Sequence, residues 1–355
     1  MRKLKEDSGS RTPGTGLRDP FCESDPLTPK PFPSYLGLLE SGELDRRVEA
    51  LLDLLVECRV CPRNCRVKRH LDRRAVCRTG RRAEVASHCV HRGEEPCISG
   101  SRGSGTVFFA HCNLACLFCQ NSQISQDWRP GDGALAAEEL AGIYLELQDQ
   151  GVHNLNWVSP SHVAPQAVEA LALAARRGLR IPIVYNSGGY DSASTLALLE
   201  GIVDVYMPDM KYFDETVARE LSDAVGYVPN AQAALTEMWR QVGPLEMDGD
   251  GLARRGLLVR HLVLPNRLSQ SAEVLRFLAG ALGKGVAVSL LAQYFPRHRA
   301  VGHPLLSRAL HEGEYARVLD ALEKAGLEEG YVQELRSAPH YLPDFHAEGH
   351  PFERE

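Results

Sequence analysis

From residue 105 onward, short apolar runs alternate with amphipathic stretches, and this alternation constrains the fold more than any other feature of the chain. The runs are Gly105–Ala110, Val152–Val158, Ile181–Tyr185, Ile202–Met207, Leu257–Leu264 and Val286–Leu291. Helical patterns fill the gaps at 136–150, 164–177, 191–200, 229–242 and 270–283, with another at 312–325 before a last extended run, Tyr331–Leu335. Strand–helix alternation at this spacing predicts βαβ units, a parallel sheet and right-handed crossovers. Eight units take about 250 residues, so the span 105–335 suits six. The expected fold class is α/β, a partial (βα)6 TIM-like barrel with an N-terminal cysteine-rich extension. An open doubly wound sheet is the alternative, because periodicity does not say whether a sheet curls.

The domain plan follows from composition shifts. Residues 1–40, with Pro26-Leu27-Thr28-Pro29-Lys30-Pro31-Phe32-Pro33, are expected to be a disordered tail. Residues 41–104 form a helix plus a basic cysteine-rich leader. The helix fits 43–57, where Leu44, Val48, Leu51, Leu52 and Leu55 make one apolar stripe. Residues 105–335 are the barrel and 336–355 a C-terminal tail.

The 355 residues carry a net charge of −6 and are 44% hydrophobic and 24% charged, an ordinary soluble composition. No apolar run approaches the ~18 residues of a membrane span. The charged N-terminus has no apolar stretch behind it, so a cytoplasmic location is expected. In a reducing compartment, ten cysteines read as metal ligands or catalytic thiols sooner than as disulfides.

Three of them stand as Cys112-x3-Cys116-x2-Cys119, directly after the first strand. Three thiolates within eight residues can wrap one inorganic centre. A [4Fe–4S] cluster prefers four, so three would leave one iron open, much as a catalytic zinc keeps a free position. A zinc site completed from elsewhere, and merely buried cysteines, are the alternatives. Cys58-x2-Cys61-x3-Cys65, with Cys77 after eleven intervening residues, makes a candidate second metal site for zinc or an Fe–S cluster. His88 and His91 are substitute ligands. Cys22, Cys89 and Cys97 form no pattern and read as incidental. Between Arg59 and Arg92, eleven Lys plus Arg face two acids. This +9 stretch suits a solvated face or docking of an acidic electron carrier. It lacks the interleaved aromatics that nucleic-acid contact would use.

The cysteine loop, with Phe118 before its last Cys, resembles the radical S-adenosylmethionine (SAM) superfamily. Within it the chain resembles the pyruvate formate-lyase activating enzyme-like proteins. The matching pieces are Gly103-Ser104-Gly105-Thr106-Val107-Phe108-Phe109, Gln120-Asn121, Pro208-Asp209-Met210-Lys211-Tyr212-Phe213-Asp214 and Val259-Arg260-His261-Leu262-Val263-Leu264-Pro265. Cys58 to Cys65 resembles the leader of an uncharacterised branch of these proteins. The resemblance implies a [4Fe–4S] cluster on Cys112, Cys116 and Cys119, and SAM bound on its open iron. Reductive cleavage of SAM would give a 5′-deoxyadenosyl radical that abstracts hydrogen from a substrate. It also implies Phe118 against the adenine, Asp209 and Lys211 near the SAM amino-acid end, and Arg260 on the SAM carboxylate.

Ligands of parallel βα architectures bind at the C-terminal ends of the strands. Ser159, Ser161 and His162 follow strand 2, Asn186 to Gly189 follow strand 3, and Gln293 and Tyr294 follow strand 6. Ser159, Ser161 and Asn186 join Phe118, Asp209, Lys211 and Arg260 as candidate cofactor contacts. Two departures from the family pattern stand out. Activating enzymes carry Gly-Gly-Glu after strand 2, where this chain has Ser159-Pro160-Ser161-His162. His111 replaces the Gly that often precedes the first Cys. The expected function is a radical SAM enzyme, glycyl-radical-activating-like, acting on a protein or peptide with electrons from flavodoxin or ferredoxin. RNA or small-metabolite modification, and a non-catalytic Fe–S or zinc redox or scaffold role, are the alternatives.

Overall fold

The computed structural model describes residues 1–4, 31–335, 343–345 and 350–352. In chain order the strands are β1 (Arg2–Lys3), β2 (Ala83–His91), β3 (Ser104–Phe109), β4 (Ala134–Leu135), β5 (Leu155–Val158), β6 (Ile183–Asn186), β7 (Val205–Tyr206), β8 (Glu246–Met247), β9 (Ala253–Leu262), β10 (Ala287–Leu291) and β11 (Gly330–Val332). The helices are α1 (Tyr35–Glu40), α2 (Glu43–Asp53), α3 (Pro96–Ser99), α4 (Ser122–Ser125), α5 (Ala137–Asp149), α6 (Ala164–Arg176), α7 (Ala193–Leu198), α8 (Glu215–Ser222), α9 (Tyr227–Val242), α10 (Ser271–Phe277) and α11 (Glu312–Ala325).

The strands β3, β5, β6, β7, β9, β10 and β11 pair side by side in that order, all parallel. A doubly wound sheet reverses its strand order at a switch point, and this one never does. Side chains settle the curvature. Val184, Val205, Leu258, Ala287 and Tyr331, from five strands, meet in one cluster with Cys97 and Ile98 of α3. The single side chain of Glu94 also hydrogen-bonds Asn156 of β5, Asn186 of β6 and Arg260 of β9, whereas strands three places apart in a flat sheet would stand about 14 Å apart. Residues of opposite parity, among them Trp157, Tyr185, Tyr206, Leu257 and Val288, join the helices in the main core. The sheet is therefore an open-sided (βα)6 barrel closed below by α3, with β11 as a further parallel strand.

The leader is woven into this barrel. The strand β2 pairs antiparallel with β3 and carries β4 on its other edge. At the opposite edge β1 pairs antiparallel with β11. Residues 35–40, expected within a tail, instead form α1. The buried Tyr35 anchors it, donating its hydroxyl to the Ile181 carbonyl at 3.1 Å, and the Ser34 N–H bonds Asp204. The rest of the expected N-terminal tail, with Cys22, lies outside the described residues. Cys97 sits in the barrel interior and Cys89 on β2, so both fill structural positions.

Candidate functional site

The cysteine loop leaves β3 through His111, which has φ +67. A non-glycine residue in this region is uncommon, and here a buried contact fixes it. His111 Nε2 lies 2.8 Å from Glu84 Oε2 on β2, and both side chains are buried. Glu84 is held in turn by Arg74 and by the Gly131 N–H. The position does adopt the left-handed backbone that a glycine would give, and the buried hydrogen bond to Glu84 holds it there without a glycine.

Beyond His111 the loop is tied down from several elements. The Ala115 and Leu117 N–H groups donate to the Ser222 and Leu221 carbonyls at the end of α8. The helix α8 is itself fixed by Asp214, whose side chain caps the Thr216 and Val217 N–H groups. Arg63 of the leader donates to the Asn113 carbonyl at 2.9 Å, and Asn113 Nδ2 donates to the Tyr190 carbonyl at 2.6 Å.

Each sulfur has a polar hydrogen nearby. Ser222 Oγ donates to Cys116 Sγ at 2.9 Å, the Leu114 N–H reaches Cys112 Sγ at 3.4 Å, and Ser125 Oγ lies 3.2 Å from Cys119 Sγ. Burial, then the neighbouring Cys116, push the Cys112 thiol up to about 12 and the Cys119 thiol up to about 11. Three thiolates in this setting call for a cationic centre. Donors aimed at sulfur and a buried setting are what a cluster uses to tune its potential. Three cysteine sulfurs at one cleft, each beside a polar group able to donate a hydrogen bond, are a donor set that fits an iron–sulfur cluster.

One open cleft joins the three cysteines to the ends of the parallel strands. Phe109, Val158, Ser159, Asn186, Asp209, Lys211, Arg260, Leu291 and Gln293 line it with Phe118. Of the expected cofactor contacts, only Ser161 is missing. The left-handed turn at Ser159 leads into a 3-10 turn over Pro160–His162, which buries Ser161 against Asp191. That expectation is corrected. His162 is also turned inward, toward the Ala110 carbonyl, and burial with Arg69 nearby lowers its pKa to about 3.

Asp209 and Lys211 form an ion pair at the cleft wall. Burial opposes the Lys211 charge, yet the Asp209 carboxylate, Cys116 and Tyr227 hold its pKa above the usual range. Gly189 makes the wall close-fitting. Its φ is +76, and a Cβ there would come within 2.0 Å of the Asp209 carbonyl oxygen. Phe118 meets Tyr212 and Tyr294 edge-on, leaving an aromatic surface at the cleft. Arg260 is engaged within the chain: its guanidinium lies 3.3 Å from both Glu94 and Glu95. Sequence reasoning missed these two acids. An arginine inside an apolar strand was the signal that an acidic partner existed, but nothing local named it.

The leader cysteines form a knot. Cys58, Cys61 and Cys77 are buried and Cys65 half-buried. Burial, then Cys77, push the Cys61 thiol up to about 12. Arg69, fully buried, donates to the His162 carbonyl at 2.7 Å and lies 3.8 Å from Cys58 Sγ. The Asn113 side chain bridges the two cysteine regions, hydrogen-bonded to Cys61 and 3.8 Å from Cys112 Sγ. The basic stretch is partly consumed by structure: Arg63, Arg66, Arg74 and Arg81 pair with Asp223, Glu57, Glu84 and Glu169, and Arg78 binds carbonyls. Arg59, Lys68, Arg73, Arg82 and Arg92 remain on the surface. No described helix is long and apolar enough to cross a membrane.

No family model matches the chain. An uncharacterized protein of Methanocaldococcus jannaschii is 29% identical over 299 residues, covering 82% of each chain. Among solved structures, native anSMEcpe with bound AdoMet superposes at a TM-score of 0.43 and 11% identity, over 61% of this chain and 57% of that one. Streptococcus suis SuiB gives 0.44 at 13% identity, over 63% and 47%. The FeFe-hydrogenase maturase HydG from Carboxydothermus hydrogenoformans gives 0.41 at 14%, over 64% and 53%. The chain thus spans about half the length of these solved structures.

Proposed function

We propose that this protein is a radical SAM enzyme holding a [4Fe–4S] cluster on Cys112, Cys116 and Cys119. One observation carries the reading: three cysteines, each with a hydrogen-bond donor near its sulfur, line the same cleft as the ends of the parallel strands. When bound, the cluster and SAM supply a one-electron cleavage that yields a 5′-deoxyadenosyl radical able to take hydrogen from a substrate. The chain's own residues position and shield that chemistry. Phe118 offers an aromatic edge for the adenine. Asp209 and Lys211, already paired, offer one acceptor and one donor to the amino-acid end. Ser159 and Asn186 supply polar contacts on the far wall. The test is anaerobic reconstitution, reduction with dithionite, addition of SAM and assay of 5′-deoxyadenosine by mass spectrometry. No 5′-deoxyadenosine from protein with a reduced cluster sinks the reading.

The finer reading, activating-enzyme-like chemistry on a protein or peptide, is proposed on the likeness of the Asp209–Lys211 and Val259–Pro265 motifs. For the leader, the proposal is a second Fe–S centre passing electrons toward the barrel. The Asn113 contact with both cysteine regions supports it. The exposed cations of the leader would dock an acidic carrier such as flavodoxin or ferredoxin. Carrier-dependent reduction should then slow several-fold between low and physiological salt; a salt-independent rate removes the docking surface.

A further inference from the structure

On the side of the barrel where β2 extends β3, the inward face is covered by a part of the chain that the proposed chemistry leaves unused. Phe108 of β3 pairs with Val158 of β5, which pairs with Asn186 of β6. The Asn186 side chain reaches Glu94 inside the barrel, so these three residues face inward. His91 of β2 lies opposite Ser104, which shares the face of Phe108. Phe108, Val158 and Ile124 of α4 form one small apolar cluster, and with His91 they line the cleft. Two rings from later in the chain rest on this face. Phe345 meets the Phe108 ring edge-on, with centroids 5.2 Å apart. The Phe352 ring lies 6.0 Å from the Phe108 ring and 4.2 Å from the His91 ring, and Phe352 itself lines the cleft.

These residues are held the way a bound peptide is held. Gln123 of α4 uses both ends of its amide: Nε2 donates to Asp344 Oδ1 at 3.1 Å, and Oε1 accepts the Phe345 N–H at 2.9 Å. His350 Nε2 donates to the Val90 carbonyl at 3.0 Å, and its Nδ1 accepts the Phe352 N–H at 3.3 Å. The Asp344 N–H donates to the Pro351 carbonyl at 2.7 Å and ties the two pieces together. Aromatic anchors on an apolar face, with backbone groups fixed by a side-chain amide and a strand carbonyl, are the parts of short-segment recognition. Phe345 and Phe352 stay half-buried, whereas core rings such as Phe109 and Tyr144 are sealed. The segment is therefore seated on the barrel rather than built into its core. The contact also reaches the cysteines, because α4 carries both Gln123 and Ser125, and Ser125 Oγ lies 3.2 Å from Cys119 Sγ.

We infer that the inward face of β2, β3 and α4 is a docking groove for a peptide segment bearing aromatic side chains, with residues 343–345 and 350–352 as its resident occupant. The inference rests on the proposed action on a protein or peptide, and it names the feature such a substrate carries. The floor of Phe108, Val158 and Ile124 selects rings over charged side chains. His91 stays neutral there, because burial, then His350 and Arg260, lower its pKa to about 4. A substrate segment takes the groove by displacing the resident one, so the chain's own rings occupy this wall of the chamber until that exchange.

Fluorescence anisotropy tests the exchange with a dye-labelled peptide that has the sequence of residues 343–352. Reconstituted full-length protein holds its own segment at an effective concentration in the millimolar range. It should therefore bind the peptide at least roughly tenfold more weakly than a variant lacking residues 336–355. A peptide with Ala at both Phe positions should lose roughly tenfold or more of the affinity for that variant. Equal binding to the two proteins, or none to either, overturns the groove, as does undiminished binding of the Ala peptide. If the shortened chain does not fold, full-length Phe345→Ala/Phe352→Ala takes its place, and the same difference is expected. Binding needs no turnover, so the two readings fail separately. Peptide exchange without 5′-deoxyadenosine formation would sink the radical reading and leave the groove standing. 5′-Deoxyadenosine formation without exchange would do the reverse.

Discussion

The two cysteine regions of this protein are only one side chain apart, yet they are built in opposite ways. Cys112, Cys116 and Cys119 face a cleft that reaches solvent and are ringed by strand ends with mixed charge. Cys58, Cys61 and Cys77 are folded inside a knot of backbone hydrogen bonds, pinned by a buried arginine, with no cleft of their own among the cavities described. The difference separates a cleft that a small molecule can enter from a region closed around its own buried sulfurs.

The comparison breaks most visibly at the cysteines. Changing Cys112, Cys116 or Cys119 to Ala should abolish both the visible absorbance of the barrel cluster and 5′-deoxyadenosine formation. Cys58→Ala should leave that absorbance in place, and loss of all iron from Cys58→Ala would merge the two regions into one.

Next comes Arg69→Met, which removes a buried guanidinium and its bonds to the Gly80 and His162 carbonyls. A loss of about 3 kcal/mol in urea unfolding is expected, with barrel iron retained in the folded fraction. Unchanged stability would show that the knot is held by something else.

Glu84→Gln attacks the other region. It weakens the buried pair that keeps His111 at positive φ, and about 2 kcal/mol of stability should go with it. Iron should leave the barrel site faster under chelator. Equal chelation rates would mean that His111 needs no holding.

The smallest effect belongs to Ser222→Ala. Removing the donor to Cys116 Sγ should move the cluster midpoint negative by about 40 mV, the equivalent of one hydrogen bond of about 1 kcal/mol. A shift confined to a leader signal would reverse the assignment.

Much of this was readable in the chain because strands and helices announce themselves by periods of 2 and 3.6. The six strands, the helices packed on them and the cysteine loop fall where the pattern indicated. The strand β2 did not show, since Ala83–His91 is half-covered on both faces and its alternation is blurred. The helix α3 has four residues, too few for any period, although it closes the barrel floor. Glu94 and Glu95 look like ordinary loop charges until the β2–β3 register carries them inside. Ser161 fails for a local reason: the left-handed Ser159 turns the next residues away from the cleft.

The strand order also bears on how the barrel is made. Each parallel strand rests on the one synthesised before it, so the sheet can grow as the chain emerges from the ribosome, and the cysteine loop is complete while most of the barrel is still unmade. The pairing of β1 with β11 is the exception. Arg2 and Lys3 must wait for Tyr331 and Val332, so this short seam is the last stretch of sheet to close and the contact with the greatest loop to span.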